Sequence, residues 1–191
     1  MKRISNNQSG FTLVELVSLL VVLGILMGIA IPNYSQWVEN YKISAESQKL
    51  YLDLMLARSS AVKNNNNVIF TFEPGNNRYR IHNDTNENGV EDPGEGVKVV
   101  NLDPKVAYGI NGTVLDMDGN TISSAVFLGG GGSSIIFDSR GQASTSGSAY
   151  LIPVNDLGAQ NDRVRAVSVI AATGSVDIWK YDGSASPTPW S

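Results

Sequence analysis

Residues 10 to 32, GFTLVELVSLLVVLGILMGIAIP, form one long apolar run interrupted near its start by a single acid, Glu15. A bilayer's hydrocarbon core is roughly 30 Å thick, and about 20 apolar residues cross it as a helix. Phe11 to Pro32 as a helix is about 33 Å long at ~1.5 Å per residue. Lipid offers the backbone no hydrogen bonds, so a lone segment of this kind must be helical. A helix buried in a protein core usually keeps a polar stripe, and this run has almost none. The sequence therefore predicts a transmembrane helix over 11–32. Lys2 and Arg3 are the only charges before it. Positive charge on that side holds the N-terminal end in the cytoplasm and puts the rest of the chain across the membrane. The small residue Gly10 precedes the run, whereas a secretory signal carries its cleavage site after it. Trimming at Gly10 would thus leave the helix on the mature chain.

Beyond Pro32 the pattern changes without leaving the helical period. Apolar residues recur at Tyr34, Trp37, Val38 and Tyr41, then at Leu50, Leu54, Ala57 and Ala61, in steps that mark one helix face. Residues 33–65 read as an amphipathic continuation, with Tyr34 and Trp37 where an interfacial aromatic belt would sit. Lys42, Glu46, Lys49 and Arg58 read as a solvated face. Asn64 to Asn67 end the helix, because Asn favours turns and caps. Phe11 to Lys63 as one helix would be about 80 Å long. Gly24 and Gly28 make a small-xxx-small step that permits close helix approach in membranes, although such steps also arise from ordinary packing. With Pro32 they soften the helix locally.

From Val68 the period becomes strand-like. Val68–Phe72 and Tyr79–His82 flank Glu73-Pro74-Gly75-Asn76-Asn77 as a hairpin. Further strands are expected at 97–102, 106–110, 113–117, 121–128, 133–138, 149–154, 164–171 and 175–181, punctuated by Gly- and Asn-rich turns. Many short strands with turn signals argue for an antiparallel head over 66–182. Residues 183–191, rich in Ser and Pro, read as a loose tail. The fold class expected is α+β: a long N-terminal helix, half transmembrane and half amphipathic, packed on an antiparallel sheet or sandwich.

Composition removes several functions. There is no cysteine and His82 is the only histidine, so a disulfide frame, a histidine-based triad and a multi-histidine zinc site are all out of reach. No nucleophile, base and orienting group cluster, and the chain is not expected to be an enzyme. The formal net charge is -4, and loss of Lys2 and Arg3 would make it more acidic still. Nucleic-acid capture, which needs clustered cations, would have only a patch around Arg163, Arg165 and Lys180.

One stretch carries ligand chemistry. In DTNENGVEDPGE, residues 84–95, the order Asp84, Asn86, Asn88, Gly89 and Glu95 fits the calcium-loop pattern of EF-hands. Calcium takes six to eight oxygens, which would come from Asp84, Asn86, Asn88, the Val90 carbonyl, Asp92 and Glu95. Against it, Pro93 and Gly94 precede Glu95 and no helix follows. A plain solvated turn is the competing reading.

Gly10-Phe11-Thr12-Leu13-Val14-Glu15, with Pro32 further along, resembles the processing site of type IV prepilins and type II secretion pseudopilins. The resemblance implies that 1–10 is a leader removed between Gly10 and Phe11 by a prepilin peptidase, followed by N-methylation of Phe11. The order of elements, with Met55-Leu56-Ala57-Arg58-Ser59-Ser60-Ala61-Val62-Lys63 in the helix and Ile135 to Gly141 and Val167 to Val176 near the end, is similar to the GspH/FimT family of minor pilins and pseudopilins. Many relatives follow the last glycine with arginine, whereas Ser175 follows Gly174 here. The resemblance implies a single-pass subunit of the bacterial inner membrane, its head periplasmic, that joins other pilins through its N-terminal helix in a pilus or pseudopilus. An ionised carboxylate in a membrane helix normally has a partner. The new α-amine of a neighbouring subunit's Phe11 is the cation Glu15 would meet on assembly. A Glu15 that merely reaches the headgroups is the alternative. A head that captures DNA or a surface is the alternative to a purely structural subunit.

Overall fold

The computed structural model describes residues 10–111, 114–116, 121–158, 163–182 and 190–191, and for 29–33 the backbone alone. Helix α1 runs over Leu13–Asn64, 52 residues. The chain divides into two compact units, Met1–Val38 and Glu39–Ser191.

In the first unit α1 begins with Thr12 just outside it and Glu15 in its first turn. The Glu15 N–H donates to Thr12 Oγ1 at 3.2 Å, and the Thr12 N–H reaches back to Glu15 Oε2 at 3.4 Å. This Thr-x-x-Glu reciprocity is a capping box, which satisfies amides that helix geometry leaves open. From Leu13 to Met27 the large apolar side chains are exposed, between 43% at Leu23 and 80% at Leu13. Tyr34 and Trp37 stack on each other with centroids 6.2 Å apart. Among the described residues no helix is long and apolar enough to cross a membrane. The expected span 11–32 falls partly on 29–33, whose side chains lie outside the description.

In the second unit the C-terminal part of α1 packs, among the described residues, on nine strands: β1 (Asn67–Glu73), β2 (Arg78–Asp84), β3 (Val97–Asn101), β4 (Val106–Tyr108), β5 (Val126–Leu128), β6 (Ser134–Phe137), β7 (Gly147–Pro153), β8 (Arg165–Ile170) and β9 (Ser175–Lys180). They form two sheets, one ordered β3-β2-β1-β6, the other β4-β7-β8-β9 with β5 also on β7. Every strand pair is antiparallel. The main core gathers α1 and one face of each sheet. Ile43, Leu50, Leu54, Ala57 and Ala61 of α1 meet Phe70, Tyr79 and Phe137 from the first sheet and Leu151, Val167 and Val176 from the second. A smaller core on the other face of the second sheet holds Val114, Tyr150, Ile152, Ala166, Tyr181 and Trp190.

Local chemistry explains the punctuation. Helix α1 stops where Asn65 takes φ 51° and the Asn66 N–H turns back to the Ala61 carbonyl. The β1–β2 hairpin turns through a short 3-10 stretch, Pro74–Asn76, and exits at Asn77 in the left-handed region. Asn tolerates that region better than other residues with a Cβ.

Four expectations need correcting. Tyr34, Trp37 and Tyr41 do not share the burial of Leu50, Leu54, Ala57 and Ala61; they are 63–67% exposed, whereas Glu39, Ile43 and Ser47 are buried. The expected strand 113–117 reduces, among the described residues, to a single bridge between Leu115 and Thr121. Within the expected 121–128, only Val126–Leu128 pairs as a strand, because β7 has length left on that edge for just three residues beside β4. The tail is not loose at its end. Trp190 is buried against Tyr181 and Tyr150, bridges Tyr181, and donates its indole N–H to the Leu115 carbonyl at 2.9 Å. An indole buries a large apolar area once its N–H has a partner. Residues 183–189 lie outside the described part.

Candidate functional site

The predicted processing residues stand at the open end of the first unit. Gly10 is exposed and Phe11 is 82% exposed. Glu15 lies one turn in, its carboxylate folded toward Thr12 by the capping box, whose long 3.4 Å contacts leave it exposed and free to take a better donor. A Cβ built on Gly24 or Gly28 meets nothing within 4 Å. Both glycines therefore present bare backbone outward, as a close-packed helix partner requires.

The 84–95 loop folds back over the outer face of the first sheet. Asp84 is buried and accepts the amides of Asn88 at 3.1 Å and Gly89 at 2.9 Å. Gly89, at φ 76°, supplies the sharp turn that brings those amides round. Asn86 and Asn88 both donate their side-chain amides to Asp92 Oδ2, at 2.8 and 2.6 Å. Val90 is exposed and gives its N–H to Asn88 Oδ1 at 2.7 Å. Glu95 turns the other way. Its Oε1 accepts the Thr85 N–H at 2.7 Å and the Thr85 hydroxyl at 2.9 Å. Its Oε2 lies 2.7 Å from His82 Nε2 and accepts the Asp92 N–H at 3.1 Å. The His82 imidazole first, then the backbone amide of Asp92, hold the Glu95 carboxyl down at about 2. The structure thus brings Asp84, Asn86, Asn88 and Asp92 to one side of the loop and spends Glu95 on the other.

That donor set does not fit calcium as it stands. A carboxylate has about four lone-pair directions, and those of Glu95 are filled by named donors, so it has none to offer as the bidentate ligand of such loops. Among the described residues no group of three or more His, Asp or Glu is placed to hold a metal. Pro93 and Gly94 explain why: they bend the chain so that Glu95 faces His82.

The charges expected to form a solvated face of α1 instead tie the helix to the strands. Lys42 Nζ pairs with Asp103 at 2.7 Å and draws its carboxyl below the usual range. Lys49 pairs with Glu46 and donates to the Asn101 carbonyl at 3.3 Å. Buried Asp53 accepts the Tyr79 hydroxyl and Lys98 Nζ, each at 2.7 Å, and burial with that bond pushes the phenol far up. Arg58 donates Nε to the Gly141 carbonyl at 2.9 Å and Nη2 to that of Thr173 at 2.8 Å. Gly174 has φ 60°, and a Cβ there would collide with the Gly141 carbonyl oxygen. Glycine at that position is therefore fixed by the clamp. Arg163 forks onto Asp156 at 2.5 and 2.7 Å and reaches Glu39 at 2.9 Å, while Asn155 donates to Glu39 at 2.6 Å. Asp156 and Glu39 hold the Arg163 guanidinium charged, its pKa raised. Arg163 is therefore spent inside the protein, which removes it from the cationic patch that DNA capture would need. Sequence reasoning missed Glu39 and Asp53 because a carboxylate at an inward helix position looks like a break in the pattern; only its partners, far along the chain, make it fit. Sequence reasoning also missed the Thr12-x-x-Glu15 box, although its signal lies within four residues.

Known proteins agree with this architecture. The profile of the family described as Type II transport protein GspH matches residues 46–174. The prokaryotic N-terminal methylation motif matches residues 5–31. Among solved structures, the chain is similar to the minor pseudopilin EpsH from the type 2 secretion system of Vibrio cholerae, with TM-score 0.50 and 14% identity over 73% of this chain and 97% of that one. It is similar too to the type IV minor pilin FimU of Pseudomonas aeruginosa, with TM-score 0.50 and 12% identity over 79% of this chain and 96% of that one. No curated protein sequence matches it.

Proposed function

Because the chain belongs to the GspH family of pilin-like proteins, we propose that it is a minor structural subunit of a type IV pilus or a type II secretion pseudopilus. It enters the inner membrane through 11–32 with residues 1–10 cytoplasmic and the head periplasmic. A prepilin peptidase cuts between Gly10 and Phe11, the new amine of Phe11 is methylated, and the subunit packs helix to helix with other pilins. The head sits near the filament tip, where it helps to start assembly.

The observation that carries this reading is the uncovered apolar surface of α1. Leu16, Leu19, Leu20, Leu23, Leu26 and Met27 are each 43–59% exposed, and further along the same helix so are Leu52, Leu56 and Val62, at 49–54%. Soluble chains rarely leave contiguous apolar surface of that extent open. Lipid before assembly and neighbouring helices after it are the environments that cover it. Glu15 then exchanges its long contacts with Thr12 for the amine of the adjoining subunit's Phe11, which neutralises both charges in a medium where either alone is costly.

The test is the native polypeptide itself. N-terminal sequencing and intact mass of the protein from sheared filaments are expected to show a chain starting at Phe11 with one methyl on its amine. A start at Met1, or one beyond Pro32, overturns the reading. Deletion of the gene is expected to lower the number of filaments more than their length; shorter filaments in normal number would contradict the tip role.

A further inference from the structure

Most half-buried cations of the head have acids, and Arg58 has two backbone carbonyls instead. Arg163 has Asp156 and Glu39, Lys98 has Asp53, Lys42 has Asp103, and Arg78 and Arg80 share Glu73. Arg165 on β8 donates Nη1 to the neighbouring Val164 carbonyl at 3.2 Å and Nη2 to Ser44 Oγ at 3.5 Å. Among the described residues no carboxylate is within ion-pair distance of it. Its cross-strand neighbours are Leu151 on β7 and Lys180 on β9, an apolar residue and a second cation. Burial pulls the guanidinium down from its usual pKa, with no charge opposing the shift.

A guanidinium carries five N–H donors in a planar fork that matches a carboxylate. Here most of that fork is unused. A desolvated cation without an acid is destabilising, and where Arg58 is completed by two carbonyls at 2.9 and 2.8 Å, Arg165 has, among the described residues, one carbonyl at 3.2 Å and a hydroxyl at 3.5 Å, which leaves its fork open to a partner. The position says what. Ser44, which Arg165 touches, lies on one helical stripe with Tyr41, Gln48 and Leu52 in steps of three and four, and all of these are exposed. Arg165 therefore opens onto the face of α1 assigned above to subunit packing.

We infer that Arg165, with Lys180 beside it, is the docking point for an acidic side chain of the adjoining subunit, which forks onto the guanidinium as the filament forms. The inference rests on the assembly reading and adds the chemistry of the contact: a carboxylate, bound at the seam between α1 and β8–β9.

The experiment uses the full chain in two measurements. Arg165→Met keeps the unbranched stem and removes the charge. In detergent extracts its melting midpoint is expected to hold or rise, by up to about 4 °C, because an unpaired cation has been replaced by an apolar group. In cells its presence in sheared filaments is expected to fall about tenfold, with Arg165→Lys intermediate and Arg165→Glu absent. A fall in melting midpoint for Arg165→Met makes the residue merely structural and overturns the inference. Wild-type levels of Arg165→Met or Arg165→Glu in filaments overturn it too, while leaving the assembly reading intact. Wild-type protein missing from filaments removes both.

Discussion

Helix α1 is one secondary-structure element with two kinds of surface, and the contrast between its halves carries the function proposed above. Between Leu13 and Met27 its apolar residues point in every direction and are all exposed. Between Glu39 and Ala61 the inward positions 39, 43, 47, 50, 54, 57 and 61 are buried at helical spacing against strands made by the same chain. Propensity does not separate the halves, since both are good helix. What differs is who supplies the other side of the contact. The second half is completed by the chain itself, down to buried acids matched by Tyr79, Lys98 and Arg163. The first half leaves its apolar residues exposed, and a Cβ at Gly24 or Gly28 would meet nothing within 4 Å; on the function proposed above, lipid or other molecules cover them.

Substitutions can break that contrast. The largest effect is expected at Leu54, fully buried. Leu54→Ala should lower unfolding free energy by about 2–5 kcal/mol, whereas Leu19→Ala in the first half should cost under ~1 kcal/mol in detergent and show itself in filament yield. Equal costs in denaturant titrations of the full chain would abolish the distinction. Glycine sharpens it. Gly174→Ala strains a left-handed residue against the Gly141 carbonyl and should cost about 1–3 kcal/mol, while Gly24→Ala, with open space around it, should stabilise the helix by up to about 1 kcal/mol and weaken assembly. Smaller again is the capping box. Glu15→Gln preserves it and Glu15→Ala does not, so circular dichroism of the two should differ by about 0.5–1 kcal/mol of helix-end stability, while both fail to neutralise a neighbour's amine and both assemble poorly. Good assembly of Glu15→Gln would show that the cap, not the charge, is what matters.

The weakest effect belongs to the acidic loop. Glu95 is ionised more readily in the folded chain than in the unfolded one, so its contribution is full above about 4.5 and is lost as pH falls toward about 2. The protection factors of the Thr85 and Asp92 amides, taken relative to the intrinsic exchange rate at each pH, are expected to fall over that window and to be flat from pH 5 to 8. Calcium added at neutral pH should leave both the exchange and the melting midpoint unchanged. A calcium-dependent rise would mean that Glu95 leaves His82 to become a ligand.

How much of this could be read from residues alone follows the same division. The switch from a period near four to a period of two at Val68 was plain, and so was the hairpin around Pro74-Gly75, because both are local. The processing site needs six consecutive residues. Local pattern failed where partners are distant: Trp190 meets Tyr150 and Leu115, and Arg58 meets Gly141 and Thr173. The calcium pattern shows the complementary limit. Its spacing is right, but Glu95 is claimed by His82, a strand residue outside the motif.

The Arg58 clamp has a consequence for the order in which the chain is made. Its acceptor in the last turn lies 115 residues downstream of it. Synthesis runs from the N-terminus, so α1 leaves the ribosome long before the carbonyls that will hold it exist. Contacts of such separation form late and slowly. Throughout that interval the helix has its inward face as bare as its outward one. On the function proposed above, this connectivity favours insertion ahead of head closure: the anchor would be set while its cargo is still being threaded.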